Sequence, residues 1–356
     1  MDFLKALKKN TVPSMEDFTE TDALAAAWLS YYDYIEKETE GEYALKDIDS
    51  SVDGFYYDAS YRKDAKKLFP LLQKHPRFQD WKIGPFFRLS GSGVQTDILR
   101  IVLPSGLSVL SFRGATPSFD SWEECFSFGL DIETGGEKAS LSYVRKVLNG
   151  SEGDFVLIGH SKGGHFALYV YAHLDGEEKK RIRKVYLFDS PGFSNGSASI
   201  KDDPKVIKFV PPRSGIGILF EEDPDWFEIV RGHSFFSYGH DALKWPIQNG
   251  KFVRAERMKR GSEHRRKAFN RWVKSLSREE IAQFVETVFT ALKKTGRKDF
   301  LDYFSHRKEA KRTLRKSGYY TKERRKYVRS VLFLLSAFYL FPSFRRKIGQ
   351  KERRKA

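Results

Sequence analysis

The pattern of apolar and polar positions predicts a helical beginning followed by antiparallel strands. Residues 17–37 repeat apolar side chains at helical spacing behind an acidic, capped start, and a second helix is predicted over 62–74. Alternating or continuous apolar runs then predict three strands, at 84–89, 95–103 and 107–112. Residues 1–75 are therefore expected to form an N-terminal helical segment that packs on a core.

Helical and strand patterns alternate after this point. A short helix near 119–126 and a longer one over 137–148 precede a strand that runs directly into another helix at 155–171. Two further strands are predicted at 184–188 and 205–210. This alternation predicts an α/β fold with a mostly parallel, doubly wound sheet over residues 76–250. Sites in such sheets lie at the carboxyl ends of the strands.

The last third of the chain, residues 251–356, is predicted to be mainly helical. Residues 277–292 carry a capped start and an amphipathic pattern. Residues 326–341 are nearly continuously apolar, but they are shorter than the roughly 20 residues that span a bilayer. Either a buried helix or a helix lying in a membrane interface fits this segment. The charged tail at 344–356 is not expected to pack.

The charge is strongly asymmetric. The chain has a formal net charge of +16, yet residues 251–356 hold 33 Lys and Arg against 10 Asp and Glu, which leaves −7 for residues 1–250. A basic region of this kind predicts an anionic partner, such as a membrane surface, a nucleic acid or an acidic protein face. No helix-turn-helix or zinc-finger pattern supports specific DNA recognition, so membrane contact through 251–356 is the preferred interpretation.

Cysteine usage and motifs limit the other possibilities. The single cysteine, Cys125, excludes an internal disulfide, and the first residues show no secretory pattern. We therefore expect a cytoplasmic protein. The basic region is compatible with a peripheral position at the inner membrane face. Metal-ligand spacings and phosphate-binding loop motifs are not evident in the sequence. We therefore predict no cofactor and no metal.

Candidate chemistry is concentrated at residues 159–164, Gly-His-Ser-Lys-Gly-Gly, between a predicted strand and helix. The G-x-S-x-G pattern is typical of a nucleophile elbow, where a serine occupies a strained corner with its hydroxyl above the sheet. We predict Ser161 as the nucleophile and the backbone N–H of Lys162 as one donor of an oxyanion hole. The second donor is expected in the Gly114–Ala115 loop.

A serine nucleophile needs a histidine base and an orienting carboxylate, and α/β hydrolases place these in the order serine, acid, histidine. His240 stands in a loop ahead of a predicted helix and is the preferred base, with His233 as the alternative. Asp189 directly follows a predicted strand and is the preferred acid. The alternative candidates for the acid lie in the loop after the next strand: Glu222, Asp223 and Asp225.

These residues resemble the class 3 lipases and their bacterial lipase-like relatives in the α/β-hydrolase superfamily. The resemblance covers about residues 15–250 and rests on five motifs in order: Phe112-Arg113-Gly114-Ala115, Trp122, Gly159–Gly164, Asp189–Phe193, and His240-Asp241 with Trp245. It implies that Ser161 is the nucleophile, His240 the base and Ala115 the loop donor of the oxyanion hole.

Three positions depart from that family pattern. Class 3 lipases usually have Thr or Ser where Ala115 stands and Leu where Lys162 stands. The aspartate that they carry after the following strand is not evident at residues 211–214, which leaves Asp189 as the acid. The resemblance implies a carboxylic ester hydrolase that acts on ester or lipid substrates through an acyl-enzyme. The alternative is a catalytically idle scaffold whose basic region binds membrane or nucleic acid.

Overall fold

The computed structural model describes residues 1–12, 17–32, 41–48, 59–130, 133–192, 200–232 and 239–316. Its centre is an eight-stranded sheet whose strands lie side by side in chain order. The strands are β1 (Tyr43–Ala44), β2 (Lys82–Gly91), β3 (Val94–Val102), β4 (Ser108–Phe112), β5 (Phe155–His160), β6 (Ile182–Phe188), β7 (Val206–Val210) and β8 (Phe227–Ile229). A separate two-stranded ribbon pairs β9 (Ile247–Gln248) with β10 (Lys251–Phe252).

The sheet is antiparallel at its beginning and parallel from β4 onward. Antiparallel pairs join β1 to β2, β2 to β3 and β3 to β4, whereas β4 to β8 pair in parallel. The parallel strands need crossover connections, so helices come between β4, β5 and β6. This arrangement brings the carboxyl ends of β4, β5, β6 and β7 to one edge.

Eleven α-helices occur within the described ranges. They are α1 (Phe3–Lys8), α2 (Glu20–Leu29), α3 (Ala59–Lys74), α4 (Phe119–Ser127), α5 (Gly135–Asn149), α6 (Lys162–His173), α7 (Gly176–Lys180), α8 (Arg260–Lys274), α9 (Arg278–Lys293), α10 (Phe300–Ser305) and α11 (Arg307–Lys316). The predicted capped starts are present, since Thr19 and Ser277 each form a capping box.

Alternation along the strands separates two hydrophobic cores. Val109, Val156 and Ile158 belong to the core beneath the N-terminal helices, while Leu110 and Leu157 face the core beneath α5 and α6. Helix α2 packs on β4, β5 and β6, and α6 packs on the opposite face. The predicted α/β-hydrolase fold with helices on both faces of a mostly parallel sheet is therefore confirmed. The N-terminal helices, rather than crossover helices, cover the second face.

The described part of the basic region extends this body. Buried side chains of α9 and α10, including Val288, Phe289 and Phe300, pack against Phe119 of α4 in a third hydrophobic cluster. Within the described ranges, no helix is both long and apolar enough to cross a membrane. The helix predicted over 326–341 and the charged tail at 344–356 lie outside the described residues.

Candidate active site

Ser161 stands at a strained corner between β5 and α6. Its φ of 57° and ψ of −128° are unusual for a residue with a side chain, and its N–H donates to Phe188 O at 3.0 Å. The neighbouring glycines are required by packing. A Cβ on Gly159 would lie 2.2 Å from the backbone of Gly163, and a Cβ on Gly163 would lie 2.0 Å from Phe112 O. The motif therefore allows β4, β5 and α6 to approach one another closely enough to form the elbow.

His240 and Asp189 form a direct contact at the same edge. Nδ1 of His240 lies 2.7 Å from Oδ2 of Asp189, whose side chain is fully buried. The other carboxylate oxygen, Oδ1, accepts from Ser214 Oγ at 2.6 Å and from the N–H of Gly217 at 3.1 Å. Both oxygens of Asp189 are thus occupied, and when Nδ1 of His240 donates to Oδ2, Nε2 is left as the nitrogen that can accept a proton.

Asp189 lies directly after β6, the strand beside the elbow strand. Its φ of 41° turns the chain sharply, and its N–H donates to Phe209 O at 2.9 Å. The loop at 211–214, where class 3 lipases carry their aspartate, supplies Ser214 instead. The hydroxyl of that serine is one of the two donors to Asp189, so this loop supports the carboxylate.

A second histidine links the backbone of His240 to the elbow. His160, the residue before Ser161, is completely buried, and its Nε2 lies 2.9 Å from the carbonyl oxygen of His240. Its Nδ1 contacts the Tyr31 hydroxyl at 2.9 Å. Burial and the nearby charge of His240 hold the pKa of His160 well below its ordinary value of 6.5. A neutral His160 therefore donates from Nε2 to His240 and accepts from Tyr31.

The loop after β4 is held rigidly beside this site. The Arg113 guanidinium lies 3.3 Å from Asp97 and donates to the carbonyls of Ser30 and Tyr32. The next residue is constrained as well, because a Cβ on Gly114 would meet the Tyr31 hydroxyl at 2.0 Å. Arg113 braces the loop, and the buried Ala115 follows at the edge where Lys162 begins α6.

The Lys162 side chain is buried in an ion pair. Its Nζ lies 2.8 Å from Oε2 of Glu124 and donates to Gln95 O at 2.6 Å. Glu124 in turn accepts from the N–H groups of Gln95 and Gly136. Because each charge has its partner, a lysine is tolerated where class 3 lipases usually have leucine. The pair also ties the start of α6 to α4 and β3.

The remaining candidates are engaged elsewhere. Asp223 pairs with Lys201 at 2.8 Å, and Glu222 pairs with Lys274 at 2.6 Å. Asp225 is an exposed loop residue. His233 and Phe193 lie outside the described residues. Ser161 Oγ and His240 Nε2 form no hydrogen bond with each other in this structure. Among the described residues, no cluster of side chains could hold a metal ion.

Sequence reasoning alone missed several supporting groups. His160, Tyr31, Ser214 and Gly217 support the pair of Asp189 and His240, but each reaches it from a distant part of the chain. The buried lysine had a visible signal, since Lys162 is a charged residue beside an otherwise apolar helix, and such a residue requires a partner.

The sheet and the strand, elbow and helix unit define the class as a lipase-like α/β hydrolase. The model of the Mbeg1-like family matches residues 72–290, more than half of the chain, and the chain belongs to this family. No curated protein matches the sequence.

Two solved structures show similarity to part of the chain. The first is a mutant of MDLA from Penicillium cyclopium, at 15% identity over 57% of this chain and 76% of that one, with a TM-score of 0.37. The second was described for an unusual buried polar cluster in a family of fungal lipases, at 20% identity over 55% of this chain and 70% of that one, with a TM-score of 0.35.

Proposed function

We propose that this protein is a serine hydrolase that cleaves carboxylic esters, with Ser161 as nucleophile, His240 as base and Asp189 as acid. One observation carries the proposal. The residue in the strained elbow after β5 is a serine, and the neighbouring strand β6 ends in a buried carboxylate that contacts a histidine at 2.7 Å. This arrangement combines a strained corner for a nucleophile with an oriented base.

The chemistry would follow from these positions. Ser161 Oγ attacks the acyl carbon while its proton passes to Nε2 of His240, and Asp189 stabilises the resulting imidazolium. The backbone N–H groups of Lys162 and Ala115 hold the oxyanion. The imidazolium then protonates the departing alcohol, which leaves an acyl ester on Ser161. Water, deprotonated by His240, attacks this ester and releases the acid.

The gap between Ser161 and His240 has to close during the first step. Hydrogen bonds of this kind are often long before substrate binds and tighten in the reacting complex. The His240 side chain keeps 18% of its surface exposed, so its ring is not enclosed on every side. The contact from His160 to the His240 carbonyl keeps the backbone in place meanwhile.

We further propose that the substrates include lipid esters and that the protein is related to the class 3 lipases. The motifs around Ser161, Asp189 and His240 support this relationship. The basic region at 251–356 supports contact with an anionic lipid surface, because each Lys or Arg near such a surface contributes about 1 kcal/mol. A cytoplasmic protein held peripherally at the inner membrane face would fit this charge distribution.

The test is covalent labelling with a fluorophosphonate probe, followed by hydrolysis of p-nitrophenyl esters of short and long acyl chains. Wild type is expected to be labelled, and Ser161→Ala to lose both labelling and turnover. Ser190→Ala is the matched control, because Ser190 is buried near the elbow and its hydroxyl has no hydrogen-bond partner among the described residues. Failure to label folded wild type, or equal labelling of Ser161→Ala, would leave the idle scaffold as the better interpretation.

A further inference from the structure

A second concave site lies at the beginning of the basic region, and the proposed ester chemistry does not use it. An open cavity of about 510 Å³ is lined by the loop after β7 and by the segment that leads into α8. The lining carries five cationic side chains: Arg213, Arg257, Lys259, Arg260 and Arg265. No acidic residue contributes to this lining among the described residues. The cavity is therefore a concentration of positive charge rather than a mixed ionic surface.

Most of these cations have no counter-charge among the residues that the structure describes. Within the described residues, four of them form neither an ion pair nor a side-chain hydrogen bond: Arg213, Arg257, Lys259 and Arg260. Neighbouring arginines behave differently. Arg266 pairs with Glu263 at 2.5 Å, and Arg254 pairs with Glu20 at 2.6 Å. Arginines on either side of the cavity are thus neutralised, whereas Arg213, Arg257 and Arg260 have no counter-charge among the described residues.

The fifth cation, Arg265, is held by two hydrogen bonds and lies within the electrostatic range of Arg213. Arg265 donates to Ser262 Oγ at 2.8 Å and to Ser214 O at 3.4 Å. Partial desolvation and the positive charge of Arg213 lower the pKa of the Arg265 guanidinium, which nevertheless stays protonated at neutral pH. Like charges that converge in this way repel one another, and a bound anion would relieve that repulsion.

The shape of the cavity and its N–H donors indicate which kind of ligand it would bind. Guanidinium groups present flat, paired N–H donors that match the oxygens of a phosphate group. The first turn of α8 borders the same cavity, and its partial positive charge acts in the same direction. A cavity of this volume also has space for an organic group attached to the phosphate. A single concave pocket fits a discrete phosphate group better than an extended polymer.

We infer that this cavity binds a phosphate group, carried either by the headgroup of an anionic phospholipid or by a soluble phosphorylated molecule. The site stands apart from ester hydrolysis and does not require Ser161 to be catalytic. It lies against the loop that supports Asp189, since Ser214 accepts from Arg265 through its carbonyl and donates to Asp189 through its hydroxyl.

The direct test measures binding of inorganic phosphate by titration calorimetry and by thermal shift, at constant ionic strength set with chloride. The variant Arg213→Gln/Arg260→Gln removes one cation from each wall, and both residues are exposed, so folding is expected to survive. Its dissociation constant for phosphate should rise at least about tenfold, because two charge-assisted contacts are lost. The matched control Lys311→Gln/Arg312→Gln removes the same charge from exposed positions of α11 outside the cavity and should bind phosphate like wild type.

Vesicles distinguish the two sources of the phosphate. Neutral phosphatidylcholine vesicles are compared with vesicles that also contain phosphatidic acid. Weaker binding of the Arg213→Gln/Arg260→Gln variant than of the control to the acidic vesicles identifies a lipid headgroup. Equal vesicle binding together with the tenfold loss for free phosphate identifies a soluble ligand. Absence of phosphate binding by wild type, or equal losses in the cavity variant and the control, would overturn the inference.

Discussion

Replacing Asp189 by asparagine tests the proposed acid most sharply, because the surroundings fix how the new amide must lie. Ser214 Oγ and the Gly217 N–H both donate to Oδ1 of Asp189. In Asp189→Asn the carbonyl oxygen has to occupy that position, since an NH₂ group cannot accept either hydrogen bond. The NH₂ group is then placed 2.7 Å from Nδ1 of His240, where the carboxylate Oδ2 was.

This orientation disables the base without removing any heavy atom. An amide NH₂ facing Nδ1 forces that nitrogen to accept, so the proton of His240 moves to Nε2 and the ring cannot take a proton from Ser161. The stabilising charge beside the imidazolium disappears as well. Together these effects are expected to lower kcat about 10⁴-fold, which corresponds to roughly 5.4 kcal/mol of transition-state stabilisation.

The assay combines ester turnover with the rate of fluorophosphonate labelling at neutral pH. The Tm of Asp189→Asn should stay close to wild type, because the carbonyl keeps both donors at Oδ1. Asp223→Asn is the matched control at a half-buried alternative acid, which pairs with Lys201, and it should keep activity within about twofold. Activity of Asp189→Asn within tenfold of wild type, or loss of activity in the control, would refute the assignment of the acid.

Three further predictions concern residues that support the candidate site. Lys162→Met should lower the free energy of unfolding by roughly 3–5 kcal/mol in urea, because Glu124 is left buried and unpaired; wild-type stability would show that the pair is dispensable. Gly163→Ala should lower the Tm by several degrees, since its Cβ meets Phe112 O at 2.0 Å, and an unchanged Tm would contradict the packing argument. Burial lowers the pKa of His160 in the folded protein, whereas the unfolded chain keeps the ordinary value of 6.5. Below pH 6.5 the unfolded chain therefore binds a proton more readily at this residue, and the free energy of unfolding should fall as the pH drops. In urea titrations, His160→Gln should reduce this slope by up to about 1.4 kcal/mol per pH unit; equal slopes would contradict a neutral buried His160.

The elements that could be predicted from the sequence are those with local signals. The elbow is readable because its glycines, its serine and the flanking strand and helix are contiguous in the chain. The capped starts at Thr19 and Ser277 are equally local. Residues 251–356 were predicted to be mainly helical, but the bounds of α8 were not, because few of its residues are apolar and only two are buried, Ser262 and Arg266. Strand β8 has three residues, too few for a period to emerge.

The supporting contacts could not be predicted because they depend on tertiary packing. Tyr31 reaches His160 across 129 positions, and Ser214 reaches Asp189 across 25. No spacing rule connects these residues, since the sheet geometry alone brings them together. The uncompensated arginines illustrate the same limit: the sequence shows a basic region, but only the fold distinguishes Arg213 and Arg260 in a cavity from arginines that are paired.

The chain order of the eight strands has a consequence for how the protein reaches its native state. Each strand pairs with its immediate predecessor, so no strand has to insert between two strands that are already paired. The elbow and Asp189 precede β7 and β8 in the chain, whereas His240, which contacts His160 across 80 positions, follows all eight strands. The proposed nucleophile would thus remain without its base until the sheet is complete, which would couple reactivity to finished folding.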